Sequence, residues 1–149
     1  MWLTYDYNKD ANALMMSRVL RKPLGVMKEK VGAMMADKEE SPLKFMVYSA
    51  HDTQVVNMMD FLKEDYFFTP FASTVIFELK YSESCLAADS TNEDCFSVGV
   101  TFNGTPQLFD GCTGDNFSLE GCKWNEFLSY MGDIWYSGAD ADDLDAACN

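Results

Sequence analysis

The stretch Lys44–Thr53, KFMVYSAHDT, decides how the chain is read. Its first six residues form an apolar run of strand length, expected to be buried on both faces. Thr53–Lys63 (TQVVNMMDFLK) then reads as a helix with Val55, Val56, Met58, Met59 and Leu62 facing inward. Ser49-Ala50-His51-Asp52-Thr53 therefore marks a strand-to-helix passage. In open α/β sheets, ligands bind at the carboxyl edge of the strands. A helix N-terminus at that edge offers unbonded backbone N–H groups and partial positive charge, which suits an anion.

Upstream of this stretch, Leu20, Leu24, Met27, Val31 and Met34 recur at steps of four and three with charged residues between them. That spacing predicts one amphipathic helix of roughly 15–20 residues, with Pro23 near its start or at a kink. The methionine stripe is pliable core in this reading. Asp37–Lys44 is a charged loop, so the order is helix, strand, helix, and the fold class expected is α/β with a layered sheet. Downstream, Ser73–Tyr81 alternates Val75, Phe77 and Leu79 against polar residues, with Ile76 the exception, and Cys95–Phe102 is a second strand. Asn103-Gly104 is a turn, followed by an extended piece to Phe109 and a Gly/Asp-rich loop from Cys112 to Cys122. A last helix spans about Asn125–Ile134, and residues 136–149 form an acidic tail.

Charge is unevenly spread. Residues 1–81 hold eleven acids and ten bases, whereas residues 82–149 hold thirteen acids and one base, Lys123, a balance of −12. Such a surface repels phosphate backbones and anionic lipid, so neither nucleic acid nor a membrane surface is an expected partner. No apolar window is long enough for a spanning helix.

All five cysteines, Cys85, Cys95, Cys112, Cys122 and Cys148, fall in the acidic part. Zinc sites use tighter spacings and usually histidines, and the sole histidine is His51, so no metal is expected. Disulfides of an oxidising compartment fit better, with 85/95 and 112/122 as the short-spaced pairs and other pairings among the four left open. The sequons at Asn103 and Asn116 point the same way, although Asn103-Gly104 is equally a plain hairpin turn. The opening MWLTYDYNKDANALMM has no features of a signal peptide. Together with the odd cysteine, this gives the expectation that an N-terminal portion precedes the chain in the natural protein.

His51 and Asp52 are the best candidates for chemistry. A histidine can hydrogen-bond a phosphoryl oxygen, and a neighbouring carboxylic acid can protonate a leaving group. Against this stands a structural reading, in which Asp52 caps the helix that follows. Asp140, Asp142, Asp143 and Asp145 fail as a calcium loop, because Leu144 and Asp145 stand where a ligand and a glycine are required. Trp124, Phe127, Tyr130 and Trp135 read as packing aromatics. Tyr66, Phe67, Phe68 and Phe71 are core residues in the simpler reading and a substrate entrance in the other.

KFMVYSAHDT resembles the C-terminal His-Asp motif of the histidine acid phosphatases, a branch of the histidine phosphatase (phosphoglycerate mutase-like) superfamily that includes the prostatic and lysosomal enzymes. The likeness continues in order through Ser17-Arg18-Val19-Leu20, Pro70-Phe71-Ala72-Ser73, Val100–Cys112 and Cys122–Leu128, covering roughly residues 12–135. The resemblance implies the C-terminal portion of one layered α/β domain, from a secreted or lysosomal enzyme that hydrolyses small phosphomonoesters through a phosphohistidine. In it, His51 matches the phosphate-binding histidine and Asp52 the proton donor, and no cofactor is needed. The 112/122 pair resembles a short family disulfide, and Cys148 matches a cysteine that pairs with one far upstream. The family's nucleophile lies in an Arg-His-Gly-Xaa-Arg-Xaa-Pro fingerprint that this chain lacks; Ala50 precedes His51, and Arg18 and Arg21 match no phosphate clamp. By itself the chain is therefore expected to be inactive. The alternative is an acidic, disulfide-stapled secreted binding module without catalysis. A third possibility gives His51 and Asp52 an unrelated reaction in a complete small enzyme.

Overall fold

The computed structural model describes residues 9–39, 41–64, 69–114 and 121–138. Among these residues, four α-helices, α1 (Lys9–Met35), α2 (Asp52–Phe61), α3 (Glu83–Ala88) and α4 (Trp124–Ile134), and one 3-10 turn, Glu93–Cys95, accompany four strands, β1 (Val75–Tyr81), β2 (Phe96–Phe102), β3 (Thr105–Pro106) and β4 (Cys122–Lys123). The mixed helix-and-sheet class agrees with the α/β expectation, and the sheet is antiparallel throughout. β2 is its centre, paired with β1 on one side and with β3 and β4 on the other.

Alternation in the strands sets the inner face. Val75, Phe77 and Leu79 lie opposite Phe102, Val100 and Val98, while Ile76 points outward and is 43% exposed. The β2–β3 turn consists of Asn103 (φ 50°) and Gly104 (φ 80°), both left-handed, as a two-residue type I′ hairpin requires. Asn103 serves that turn with its side chain, accepting from the Thr74 N–H at 2.8 Å.

α4 lies between the sheet and the α1–α2 pair. Trp124, Phe127, Tyr130, Met131 and Ile134 recur at helical spacing and are buried, as packing aromatics should be. Phe127 meets Phe77 edge-on at 6.5 Å, and Tyr130 stacks on Phe109 at 4.7 Å. On the far side of α4, the Tyr130 hydroxyl donates to the Leu62 carbonyl at the end of α2, and the Tyr136 N–H donates to Ser17 Oγ of α1 at 3.0 Å. Asn12 Nδ2 then joins α1 to α2 through Asp60 Oδ2 and the Asn57 carbonyl.

α1 is longer than its apolar stripe predicts and passes through Pro23 without ending. Burial of Met16, Leu20 and Val31 along it offsets the hydrogen bond that proline removes. Both α1 and α2 close with Schellman bonds. Lys38 N–H reaches the Ala33 carbonyl and Glu64 N–H the Met59 carbonyl, with Asp37 and Lys63 in the left-handed position where glycine is usual. α3 is unforeseen by the sequence reading, which has a polar loop there. Ser82 caps it by accepting from the Cys85 N–H.

Lys44–Ser49 departs from the expected buried strand. It is no buried strand: it has no ladder partner among the described residues, and Phe45, Val47 and Tyr48 are 77%, 71% and 53% exposed. An apolar run becomes a strand only beside an edge that takes its backbone groups, and among the described residues every ladder is formed within 75–123. His51 therefore does not stand at the carboxyl edge of a sheet strand. Phe71 is also no core residue. It is fully exposed at the tip of a turn closed by Ser73 N–H to the Pro70 carbonyl.

Disulfides join Cys85 to Cys95 and Cys112 to Cys122, with Cα atoms 5.4 and 4.7 Å apart. The first ties α3 to the start of β2, the second ties the loop after Phe109 to β4. Each closes a ten-residue separation, which in the chain-entropy account stabilises the fold by about 2.5–3 kcal/mol. Reduction of both is expected to lower the thermal midpoint by more than about 10 °C. Calorimetry with and without a phosphine reductant measures this, and an unchanged midpoint would refute it. Among the described residues no helix is long and apolar enough to cross a membrane.

Candidate active site at His51 and Asp52

His51 is the N-cap of α2, with extended backbone (φ −84°, ψ 161°) that turns the irregular segment before it into the helix. The helix begins one residue earlier than its apolar pattern predicts, at Asp52. Gln54 Oε1 accepts from the His51 N–H at 2.9 Å, the reciprocal arm of a capping box. The His51 carbonyl accepts from the N–H groups of Gln54 and Val55. Asp52 Oδ1 accepts from the Thr53 N–H at 2.8 Å.

These bonds fix the backbone while leaving the His51 and Asp52 side chains in solvent. His51, Asp52, Thr53 and Gln54 are all exposed. The helix behind them is anchored by Met58, Met59 and Phe61, which are buried. The structural reading of Asp52 is thus partly realised, since one carboxylate oxygen satisfies a first-turn amide. The other oxygen takes no part in that bond, so a proton-donating role is not displaced by it. An imidazole and a carboxyl group on successive residues of a helix N-terminus can together engage an anionic ester: one donates to an oxygen, the other delivers a proton.

Other sequence candidates fall elsewhere. Arg18 and Arg21 are on the exposed side of α1. Asn103 is exposed, but its Nδ2 donates to Ser73 Oγ at 3.2 Å within the hairpin corner. Asn116, Cys148, Tyr66, Phe67, Phe68 and the acidic tail from residue 139 lie outside the described residues. Among the described residues no cluster of His, Cys, Asp and Glu is arranged to hold a metal ion.

A concavity of about 240 Å³ lies at the opposite end of α2, lined by Lys63, Glu64, Leu108, Asp110 and Tyr130. Ten helical residues separate it from His51, roughly 15 Å along the axis, so it does not contribute to the His-Asp pair. Burial, with Glu64 and Asp110 adding repulsion, pushes the Tyr130 phenol up to about 12. Its hydroxyl is committed to the Leu62 carbonyl and serves the fold.

The sequence alone does not mark Gln54 as part of the site. The N-cap/N3 spacing of His51 and Gln54 is the available signal, obscured because histidine is an unusual cap. No protein-family model, curated protein or solved structure matches this chain.

Proposed function

We propose that this chain supplies the His-Asp part of an acid phosphatase of the histidine phosphatase type, with the nucleophilic histidine and the arginine clamp contributed from outside these 149 residues. His51 donates to a phosphoryl oxygen of a small phosphomonoester. The external histidine attacks phosphorus, Asp52 protonates the departing ester oxygen, and water then releases phosphate from the phosphohistidine. The observation that carries this reading is the exposed pair itself: an imidazole and a carboxyl on adjacent residues at a helix N-terminus whose backbone is already capped.

The exposed Leu43, Phe45, Val47 and Tyr48 support the same reading, because a strip of this kind gains stability when another segment covers it. In the proposal, residues 44–49 become a strand on meeting that segment, and Cys148 pairs with one of its cysteines. The two disulfides fit a secreted or lysosomal lumenal setting. The binding-module alternative draws on a different observation, the closed packing of α4, β1 and β2 around Phe127. The 149-residue chain assayed alone with p-nitrophenyl phosphate at acid pH is expected to show no turnover. Acid-dependent hydrolysis by the pure chain would overturn the assignment of the nucleophile to another segment.

A further inference from the structure

Helix α1 carries six of the eleven bases of the chain, Lys9, Arg18, Arg21, Lys22, Lys28 and Lys30, against two acids, Asp10 and Glu29. Steps of three and four link Arg18, Arg21, Gly25, Lys28 and Gly32 into one line along the helix. Arg18, Arg21 and Lys28 on that line, and Lys22 beside it, are exposed. No carboxylate of the described residues pairs with Arg21, Lys22 or Lys28. Like charges at helical spacing repel, so the line gains stability from an anionic cover. The two glycines are its second feature. Glycine inside a helix is destabilising and suits places where another backbone approaches closely. A Cβ added at Gly25 or Gly32 would meet nothing within 4 Å. No described residue therefore uses the space, and the helix surface beside Arg21 and Lys28 is open to an extended acidic peptide.

The chain brings such a peptide to this place. Tyr136 N–H donates to Ser17 Oγ at 3.0 Å, and Ser17 is fully buried. Ser17 stands one helical turn before Arg21, so the segment after α4 is held at the start of the basic line. Gly138 lies under the Tyr136 ring, where a Cβ would collide with it, and the described chain stops there. The sequence continues ADADDLDAACN, with Asp140, Asp142, Asp143 and Asp145 and no base. Extended chain places Asp140 and Asp145 up to roughly 7 and 23 Å beyond Gly138. Along the axis of α1, Arg21 and Lys28 lie roughly 6 and 16 Å beyond Ser17. The acids thus cover the same length as the bases.

We propose that the basic line of α1 is the docking surface for the chain's own acidic residues 139–149. The segment lies extended along the helix, its aspartates pairing with Arg21, Lys22 and Lys28 and its backbone passing over Gly25. Single exposed ion pairs contribute little. Attachment at Gly138 makes these pairs intramolecular, which favours this occupant over a separate acidic peptide. The strap covers the basic face of α1 and carries Cys148 toward the C-terminal end of that helix. It stands apart from the phosphatase reading and uses neither His51 nor Asp52.

The test attaches a nitroxide to Cys148, the cysteine outside the two disulfides, in the 149-residue chain. Paramagnetic broadening of backbone amides is then read by NMR at low ionic strength. Selective loss of the Lys28–Met35 signals is expected, relative to those of β1 and β2. The double variant Arg21→Gln, Lys28→Gln should restore the signals, as should about 0.5 M salt, which screens exposed pairs. Lys63→Gln should leave the loss unchanged. Gly25→Gln should restore signal while raising helix propensity, a combination that structural damage does not produce. Absence of selective loss on α1, or loss that persists in the double variant, would overturn the docking. Mixing labelled chain with unlabelled ¹⁵N chain separates the occupants. Loss appearing in the ¹⁵N chain would place the segment on a second copy and overturn the intramolecular strap.

Discussion

Phe127→Ala is expected to destabilise the fold by about 4 kcal/mol, a large share of the 5–15 kcal/mol typical of a domain. Phe127 is fully buried, and its ring lies within 6.2–6.5 Å of the rings of Phe77, Phe109 and Trp124. It thus connects β1, the segment after β3, and its own helix. The loss has two parts: the transfer energy of the ring and the cavity left where three rigid aromatics cannot collapse inward. Urea unfolding of the two proteins measures it directly. Phe71→Ala provides the contrast, because Phe71 is fully exposed, and a change within about 0.5 kcal/mol is expected there. Equal effects at the two positions would contradict the placement of the core.

Asp52→Asn carries the largest expected effect on chemistry. In the proposed phosphatase, assembled with its nucleophile, it should lower turnover about 10²- to 10⁴-fold, the usual contribution of a positioned general acid. Asparagine keeps a carbonyl oxygen able to accept from the Thr53 N–H, as Asp52 Oδ1 does, so the first turn of α2 should be preserved. The discriminating readout is the leaving group. An alkyl phosphate, whose oxygen must be protonated as it departs, should suffer far more than p-nitrophenyl phosphate, whose phenolate leaves readily. A uniform loss with both substrates would assign Asp52 a structural role, and no loss with either would remove it from the reaction.

Much of the fold was legible in the chain. The alternation of Val75, Phe77 and Leu79, the Asn103-Gly104 turn and the apolar spacing from Trp124 to Ile134 each specify local structure that packing then reinforces. The two disulfides followed from spacing and compartment chemistry, and their partners are those the spacing favoured. Lys44–Ser49 was misread because a short apolar run specifies burial only when something is present to bury it, and Phe45 and Val47 have nothing of the kind among the described residues. α3 was missed because six residues capped by Ser82 and closed by a disulfide leave no periodic signal. The adjacency of His51 and Asp52 needed no structure to be seen. The support from Gln54 depends on cap geometry, which appears only on folding.

The proposed assignment of His51 and Asp52 to a phosphatase takes its nucleophile from outside these residues. It is tested most directly by capturing the native protein from its own cells with an antibody against residues 136–149, then measuring its mass under reducing conditions and its acid phosphatase activity. The expected result is a species clearly heavier than 16.8 kDa that hydrolyses phosphomonoesters at acid pH. A species of 16.8 kDa without activity would contradict the claim and leave the disulfide-stapled binding module as the better description.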